Sequence, residues 1–230
     1  MKTYQKISVM AFLAILLLGC ESNSVNSPEE NAEQAALINA VSTTRLDATL
    51  AATTDSLCLL TNTQLAPLTE SEINSILYMR EEEKLANNVY VYFNEKFARP
   101  VFSNISKSEI AHGKAIAWLI NLYKIETPAE TVPGVFNIEE LQNLYTKLTT
   151  EALTVVDAYK AGAFIEEHDI IDLQREIAET ENPFIKRIYG NLLRASQFHL
   201  KAFVANLKFN GIAYQPQLLS NDDFNAIINT

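Results

Sequence analysis

Cysteine, histidine and glycine are all scarce in this chain of 230 residues, which contains 2 Cys, 3 His and 6 Gly. Two cysteines cannot form a four-cysteine zinc or iron–sulfur site. The sequence also contains neither a glycine-rich phosphate loop nor a nucleophile elbow. The sequence therefore offers no sign of P-loop phosphate binding or of α/β-hydrolase chemistry.

Positive charge is also in short supply, with 18 Lys and Arg against 28 Asp and Glu and a formal net charge of −10. A nucleic-acid-binding surface needs a basic stripe, and none is present. The same deficit argues against electrostatic docking on anionic lipid. We therefore expect no nucleic-acid partner.

The N-terminus has the features of an export signal. Lys2 and Lys6 precede the apolar run Val9–Leu18, which is too short to span a bilayer comfortably. The following Leu17-Leu18-Gly19-Cys20 resembles the lipobox of bacterial lipoproteins. The resemblance implies cleavage before Cys20, acylation of its thiol and attachment to a membrane of the bacterial cell envelope. An ordinary secretory signal, or an uncleaved anchor with a chance cysteine, is the alternative.

Composition divides the remainder of the chain. Residues 21–35 are rich in Ser, Asn and Glu, and residues 36–67 are rich in Ala, Thr and Leu without firm periodicity. We expect four segments: a lipoprotein signal peptide (1–19), the lipidated Cys20 with a flexible tether or extension (20–67), a helical bundle (68–211) and a C-terminal tail that packs on the bundle (212–230).

Apolar residues at helical spacing, together with capping residues, predict an all-α fold with four long helices and one short helix. The first expected helix runs from the capping box at Thr69 to about Phe97, and the second runs from a cap at Asn104 or Ser106 to about Lys124. A short helix begins at Asn137. The next long helix runs from about Glu151 to Glu179, and Gly162 could interrupt it; the last runs from Asn182-Pro183 to just before Gly211.

Each long helix carries a polar residue on an otherwise apolar face. These residues are Glu83, Glu109 with His112, Glu166 and His199. Because Glu109 and His112 lie three positions apart, both side chains project from one side of the helix and could bind one metal ion. A carboxylate on an apolar face is costly unless something pairs with it.

Several alternatives remain open for these positions. Glu83 could form a buried salt bridge, and His199 could be a hydrogen-bonded core residue. The register of the fourth helix leaves Glu167 or Asp169 in competition with Glu166. We expect Glu81 and Glu82 to be solvated, with Arg80 and Lys84 as counter-charges, and His168 to lie on the surface.

Four stretches of the sequence resemble a known family. They are Met79-Arg-Glu-Glu-Glu-Lys-Leu-Ala86, Ser108-Glu-Ile-Ala-His112, Phe164-Ile-Glu-Glu-His-Asp-Ile170 and Asn191-Leu-Leu-Arg-Ala-Ser-Gln-Phe-His-Leu200. They are similar to the ferritin-like superfamily on its rubrerythrin side, and more closely to the bacterial family DUF2202, over roughly residues 69–207. The resemblance implies a ferritin-like four-helix bundle, in which glutamates and Glu-x-x-His motifs hold two metal ions in the core.

Carried onto this chain, the resemblance implies the ligands Glu83, Glu109, His112, Glu166 and His199. Iron or manganese suits them, and zinc or copper could compete. The implied activity is that of an oxidoreductase of peroxidase or ferroxidase type, with peroxide or oxygen as oxidant. Tyr90 could donate a hydrogen bond to a ligand, act as a redox group, or simply fill the core.

One position departs from the family pattern, because Ser196 stands where a rubrerythrin-type motif has Glu. The missing oxygen could come from Asp169 or Glu167; otherwise the site holds one metal ion, or holds a second one weakly. The rival hypothesis is a non-catalytic, lipid-anchored helical bundle that binds an envelope partner, with its polar core residues purely structural.

Overall fold

A computed structural model describes residues 65–229, and within them the chain forms six α-helices and no strand. The predicted all-α fold is confirmed. The predicted signal peptide, Cys20 and most of the predicted tether lie outside the described residues. Within residues 65–229, no helix combines the length and the hydrophobicity that crossing a membrane requires. The helices are α1 (Glu70–Phe97), α2 (Pro100–Tyr123), α3 (Glu139–Glu151), α4 (Val155–Glu179), α5 (Pro183–Phe209) and α6 (Asn221–Ile228).

Capping side chains fix three of the long-helix starts. The predicted capping box is present at α1, where the Thr69 hydroxyl accepts from the Glu72 N–H and the Glu72 carboxylate accepts from the Thr69 N–H. Thr154 forms a second capping box with Asp157 at α4. The Asn182 side chain accepts from two N–H groups of the first turn of α5, as the Asn-Pro signal predicts.

Two of the predicted boundaries are wrong. Helix α2 begins at Pro100 rather than at a cap on Asn104 or Ser106, because proline is well suited to the first turn of a helix. Helix α4 begins at Val155 and continues without a break through Gly162. The glycine is retained inside the helix because α5 approaches closely there.

The four long helices surround a common core. Helix α1 packs chiefly against α2, and α4 packs chiefly against α5; the two pairs meet through α2 with α5 and through α1 with α4. Each pair is joined by a short connection, as expected for antiparallel neighbours. Helix α3 lies against α1 and α4, and α6 lies against α5.

Two apolar clusters fill this core at different heights. One includes Phe93, Phe102 and Phe203, and the other includes Leu119 and Ile188. On each long helix, buried polar residues occur between the segment that enters the first cluster and the segment that enters the second. The fold therefore encloses a polar layer between two apolar layers.

The segment after α5 also contributes to the core. Tyr214, Leu219, Phe224 and Ile227 are buried and join the same apolar cluster as Phe203. Ser220 caps α6 by accepting a hydrogen bond from the Asp223 N–H. Residues 212–229 thus cover the bundle and supply part of its hydrophobic surface.

The close approach of α4 and α5 predicts the effect of a mutation at Gly162. A Cβ atom at this position would lie 2.6 Å from the Phe203 ring. That ring is fully buried against Tyr90 and Phe102, so it cannot move aside cheaply. Gly162→Ala should therefore lower the free energy of unfolding by about 1–3 kcal/mol, measured by urea denaturation.

Gly190 is the matched control, because it is also a helical glycine but has nothing within 4 Å of an added Cβ. Gly190→Ala should raise stability by about 0.5–1 kcal/mol, since alanine favours the helix. If Gly162→Ala were equally stabilising, the helices would not be in the contact described.

Candidate metal centre

The polar layer contains all five residues that the sequence singled out. Glu83 comes from α1, Glu109 and His112 from α2, Glu166 from α4 and His199 from α5, and none is more than 6 % exposed. The side chains form two groups of three, in each of which one potential ligand atom per residue lies within 4.8 Å of the others.

The first group consists of Glu83, Glu109 and His112. His112 Nδ1 lies 2.7 Å from Glu109 Oε2 and 3.1 Å from Glu83 Oε2. One imidazole nitrogen therefore faces two carboxylates from two different helices. A metal ion could take the place of the proton between this nitrogen and the two carboxylates.

The second group consists of Glu109, Glu166 and His199. His199 Nδ1 lies 3.0 Å from Glu109 Oε1 and 3.3 Å from Glu166 Oε2. Glu109 thus belongs to both groups and turns one oxygen toward each histidine. The two imidazole rings are nearly parallel, with centroids 5.6 Å apart. Glu109 would therefore contribute one oxygen to holding an ion in either group.

Several buried atoms in this layer make no hydrogen bond to any described residue. They are Glu83 Oε1, Glu109 Oε1 and both ring nitrogens of His199. The contacts of His199 Nδ1 are short enough for ion pairing, but they lack hydrogen-bond alignment. Leaving buried polar atoms unpaired is costly, and these carboxylate oxygens and imidazole nitrogens are ligand types that would fit a metal ion.

Charge is crowded in the layer. Burial raises the pKa of Glu83 to about 8, although His112 opposes the rise. Burial would also raise the pKa of Glu109, but the charges of His199 and His112 outweigh it and hold that pKa well below the usual range. Burial lowers the pKa of His199, whereas Glu109 and Glu166 together raise it to about 9. Without a cation, the layer must keep protons on several of its groups.

Tyr90 is both a core residue and a hydrogen-bond donor. It is fully buried, and its hydroxyl donates to Glu166 Oε1 over 2.5 Å. Burial, followed by the charge of Glu166, raises its pKa well above the ordinary value. Tyr90 therefore stays protonated and orients the Glu166 carboxylate.

Asp169 of α4 faces Ser196, the position at which the resemblance to rubrerythrin-type motifs implies Glu. The Ser196 hydroxyl donates to Asp169 Oδ2, and Asp169 Oδ1 is buried without a hydrogen bond to any described residue. Burial, followed by repulsion from Glu83 and Glu82, raises the pKa of Asp169 well above its ordinary value. Asp169 thus adds a carboxylate to the polar layer from the facing helix.

Glu167 does not face the polar layer. Its carboxylate accepts hydrogen bonds from the Tyr214 hydroxyl at 2.6 Å and from the backbone N–H groups of Gln217, Leu218 and Leu219 at 2.7–3.1 Å. Of the three alternatives on α4, Glu166 lies in the layer, Asp169 lies at its edge, and Glu167 anchors the segment that covers the bundle.

The expectation that Glu81 and Glu82 are solvated is wrong, whereas His168 is partly exposed, at the edge of the bundle. Glu81 and Glu82 are at least 96 % buried. Glu81 pairs with Arg80 and accepts from the Asn137 N–H, whereas Lys84 binds oxygen atoms of Thr131 and Val135 instead of acting as a counter-charge. His168 lies 2.6 Å from Glu82, so a carboxylate of α1 draws it against the bundle.

These features define an all-α helical bundle with carboxylates and imidazoles in its core. Residues 72–230 match the family described as an uncharacterized protein domain, DUF2202. The chain therefore belongs to the DUF2202 family, as predicted. The match extends through the C-terminal segment, beyond the limit near residue 207 expected from the sequence.

A relative with known structure supports the assignment. The chain is 39 % identical over 166 residues to the uncharacterized protein MJ0754 of Methanocaldococcus jannaschii, covering 71 % of this chain and 90 % of the relative. The crystal structure of that protein superposes with a TM-score of 0.71 at 38 % identity, covering 74 % of this chain and 98 % of the other.

The chelator-treated chain should lose stability as the pH rises from about 4.5 to about 9. The pKa of Glu83 rises from an ordinary 4.5 to about 8, and that of His199 rises from 6.5 to about 9. The stability that each proton contributes is present below the ordinary pKa and is lost as the pH passes the raised value. Thermal melts followed by circular dichroism should show the fall.

Glu83→Gln, which carries no titrating proton, should flatten that dependence. Added divalent metal should oppose it, because the ion replaces the protons that the layer otherwise needs. A melting temperature that increases from pH 6 to pH 9 in chelator would contradict the described charge balance.

Glu167→Gln should loosen the C-terminal segment and leave the polar layer intact. The amide keeps one acceptor oxygen and puts a donor against the N–H groups of residues 217–219, which should cost about 1–3 kcal/mol. Amide hydrogen exchange should accelerate at these residues. Loss of bound metal in this variant, without loss of structure, would instead make Glu167 a ligand.

Proposed function

We propose that this protein is a ferritin-like, metal-binding protein that holds two transition-metal ions in its polar layer and acts as an oxidoreductase of peroxidase or ferroxidase type. The observation that carries the proposal is Glu109, which presents one carboxylate oxygen to His112 and the other to His199. Each histidine also faces a second glutamate, so the five side chains form two ligand groups that share Glu109.

Charge balance supports two ions rather than one. The layer and its edge contain the carboxylates of Glu83, Glu109, Glu166 and Asp169 against two imidazoles. With the imidazoles neutral, two divalent cations match the four negative charges. Asp169, which accepts a hydrogen bond from Ser196, would replace the carboxylate that a rubrerythrin-type motif has at position 196.

The ligand types narrow the choice of metal. Mixed carboxylate and imidazole ligands suit iron and manganese, whereas zinc and copper compete by affinity wherever they are available. Thiolate ligands, which would favour zinc or copper(I), do not occur among residues 65–229. We therefore propose iron or manganese as the functional metal.

The chain's own residues would prepare the site for redox chemistry. A bound redox-active metal would supply electron transfer to or from peroxide or oxygen. The apolar layers on both sides exclude bulk water, which strengthens every electrostatic interaction between them. Tyr90 fixes the orientation of Glu166 through its hydrogen bond.

The location of the protein rests on the N-terminal sequence, which lies outside the described residues. We propose that Cys20 carries lipid and that the bundle is held at a membrane of the bacterial cell envelope, facing the periplasm or in the outer membrane. The support is the charged start, the short apolar run and the Leu-Leu-Gly-Cys sequence.

Metal analysis tests the proposed function. Residues 65–230, reconstituted with iron and dialysed, should retain about two irons per chain. Glu109→Gln should remove most of both, because each group uses this carboxylate. His112→Gln and His199→Gln should each reduce binding by about one ion. Glu167→Gln is the matched control and should bind like the wild type.

The metal-loaded chain should then consume peroxide, or oxidise ferrous iron with oxygen, faster than the Glu109→Gln variant. If metal bound but neither peroxide nor ferrous iron was turned over, the protein would be a metal carrier without catalytic activity. If no metal bound and Glu109→Gln only lowered stability, the polar layer would be structural and the rival, a bundle that binds an envelope partner, would be favoured.

A further inference from the structure

A second cluster of potential ligands lies outside the polar layer, between α1 and α4. It consists of Glu82, His168 and Asp172, each of which offers one ligand atom within 4.8 Å of the others. His168 Nδ1 is 2.6 Å from Glu82 Oε1 and 3.5 Å from Asp172 Oδ2. The cluster shares no residue with the five in the core.

Glu82 is the unusual member of this cluster. Its side chain is 4 % exposed, and its second oxygen, Oε2, makes no hydrogen bond to any described residue. Burial removes water from both oxygens of a carboxylate, and an oxygen without a new hydrogen-bond partner makes that burial costly. The His168 contact accounts for Oε1 alone, so Glu82 retains a free position for a cation.

Asp172 divides its two oxygens between two neighbours. Oδ1 accepts a hydrogen bond from Arg175 over 2.5 Å, and Arg175 also pairs with Glu176. Oδ2 is thereby left facing His168. Arg175 orients this carboxylate, but it also places a competing positive charge beside it. Glu140 of α3 acts on His168 as a further negative charge.

Exposure separates this cluster from the core. The His168 side chain is 24 % exposed, whereas those of His112 and His199 are 7 % and 0 % exposed. An ion bound at His168 could therefore exchange with solvent without opening the bundle.

We propose that Glu82, His168 and Asp172 form an outer site for one divalent transition-metal ion, distinct from the pair in the core. The ion replaces the proton on His168 Nδ1, which leaves to solvent, and is bound by one imidazole and two carboxylates, a ligand set that suits iron, manganese or zinc. Water completes its coordination on the exposed side. The site loads and empties independently of the core.

Cobalt binding to the full chain, solubilised in detergent and freed of metal by chelator, tests the outer site. Equilibrium dialysis against Co²⁺ should give about one ion per chain fewer in His168→Gln than in the wild type. The same difference should appear in a Glu109→Gln background, where the core groups are impaired. Failure of the core site would thus leave this comparison intact.

Two further variants separate metal binding from a structural ion-pair network. Asp172→Asn, which removes the charge of another ligand and keeps its shape, should also lose the outer ion and serves if His168→Gln does not fold. Arg175→Gln removes the competing cation and should tighten Co²⁺ binding roughly tenfold, although it breaks a salt bridge.

Equal cobalt content in the wild type, His168→Gln and Asp172→Asn would overturn the proposal. So would an Arg175→Gln chain that binds cobalt no more tightly than the wild type, because a purely structural network gains nothing from losing its arginine. Circular dichroism of each variant confirms that the compared chains are folded.

Discussion

The burial of several carboxylates beside two imidazoles is the constraint on which the rest of this structure depends. Isolated charges inside a helical bundle are costly, and the fold admits them only where opposite charges, protons or cations are at hand. Glu109 meets this condition by facing both His112 and His199. Glu83 and Glu166 have one histidine each and remain protonated more readily, as the directions of their pKa shifts indicate.

The apolar layers make this arrangement possible. The absence of a side chain at Gly162 lets α4 approach the Phe203 ring of α5 closely. The rings of Tyr90, Phe102 and Phe203 pack together and fill the space beneath the polar side chains. The same aromatic cluster holds the tyrosine that donates to Glu166. The packing of the core and the orientation of the Glu166 carboxylate therefore depend on the same residues, so a change in the packing also affects Glu166.

The sequence predicted the polar layer well, because a charged residue on an apolar helical face is visible at a period of 3.6 residues. It failed for Glu81 and Glu82, since reading one face of each helix assigns the neighbouring positions to solvent. It could not resolve Glu167 either, because the N–H groups that this carboxylate binds lie about 50 residues further along the chain, in a segment without helical periodicity.

The pairing of Ser196 with Asp169 bears most directly on the symmetry of the centre. A glutamate at position 196 would present its carboxylate from α5, one turn before His199, whereas Asp169 presents a shorter side chain from α4. The number of carboxylates in the layer is kept, but the carboxylate now comes from α4 instead of α5. One of its oxygens accepts a hydrogen bond from the Ser196 hydroxyl. Two ions bound here would therefore have unequal surroundings. The ion at Glu83 and His112 would differ from the one at Glu166 and His199 in affinity and in redox potential.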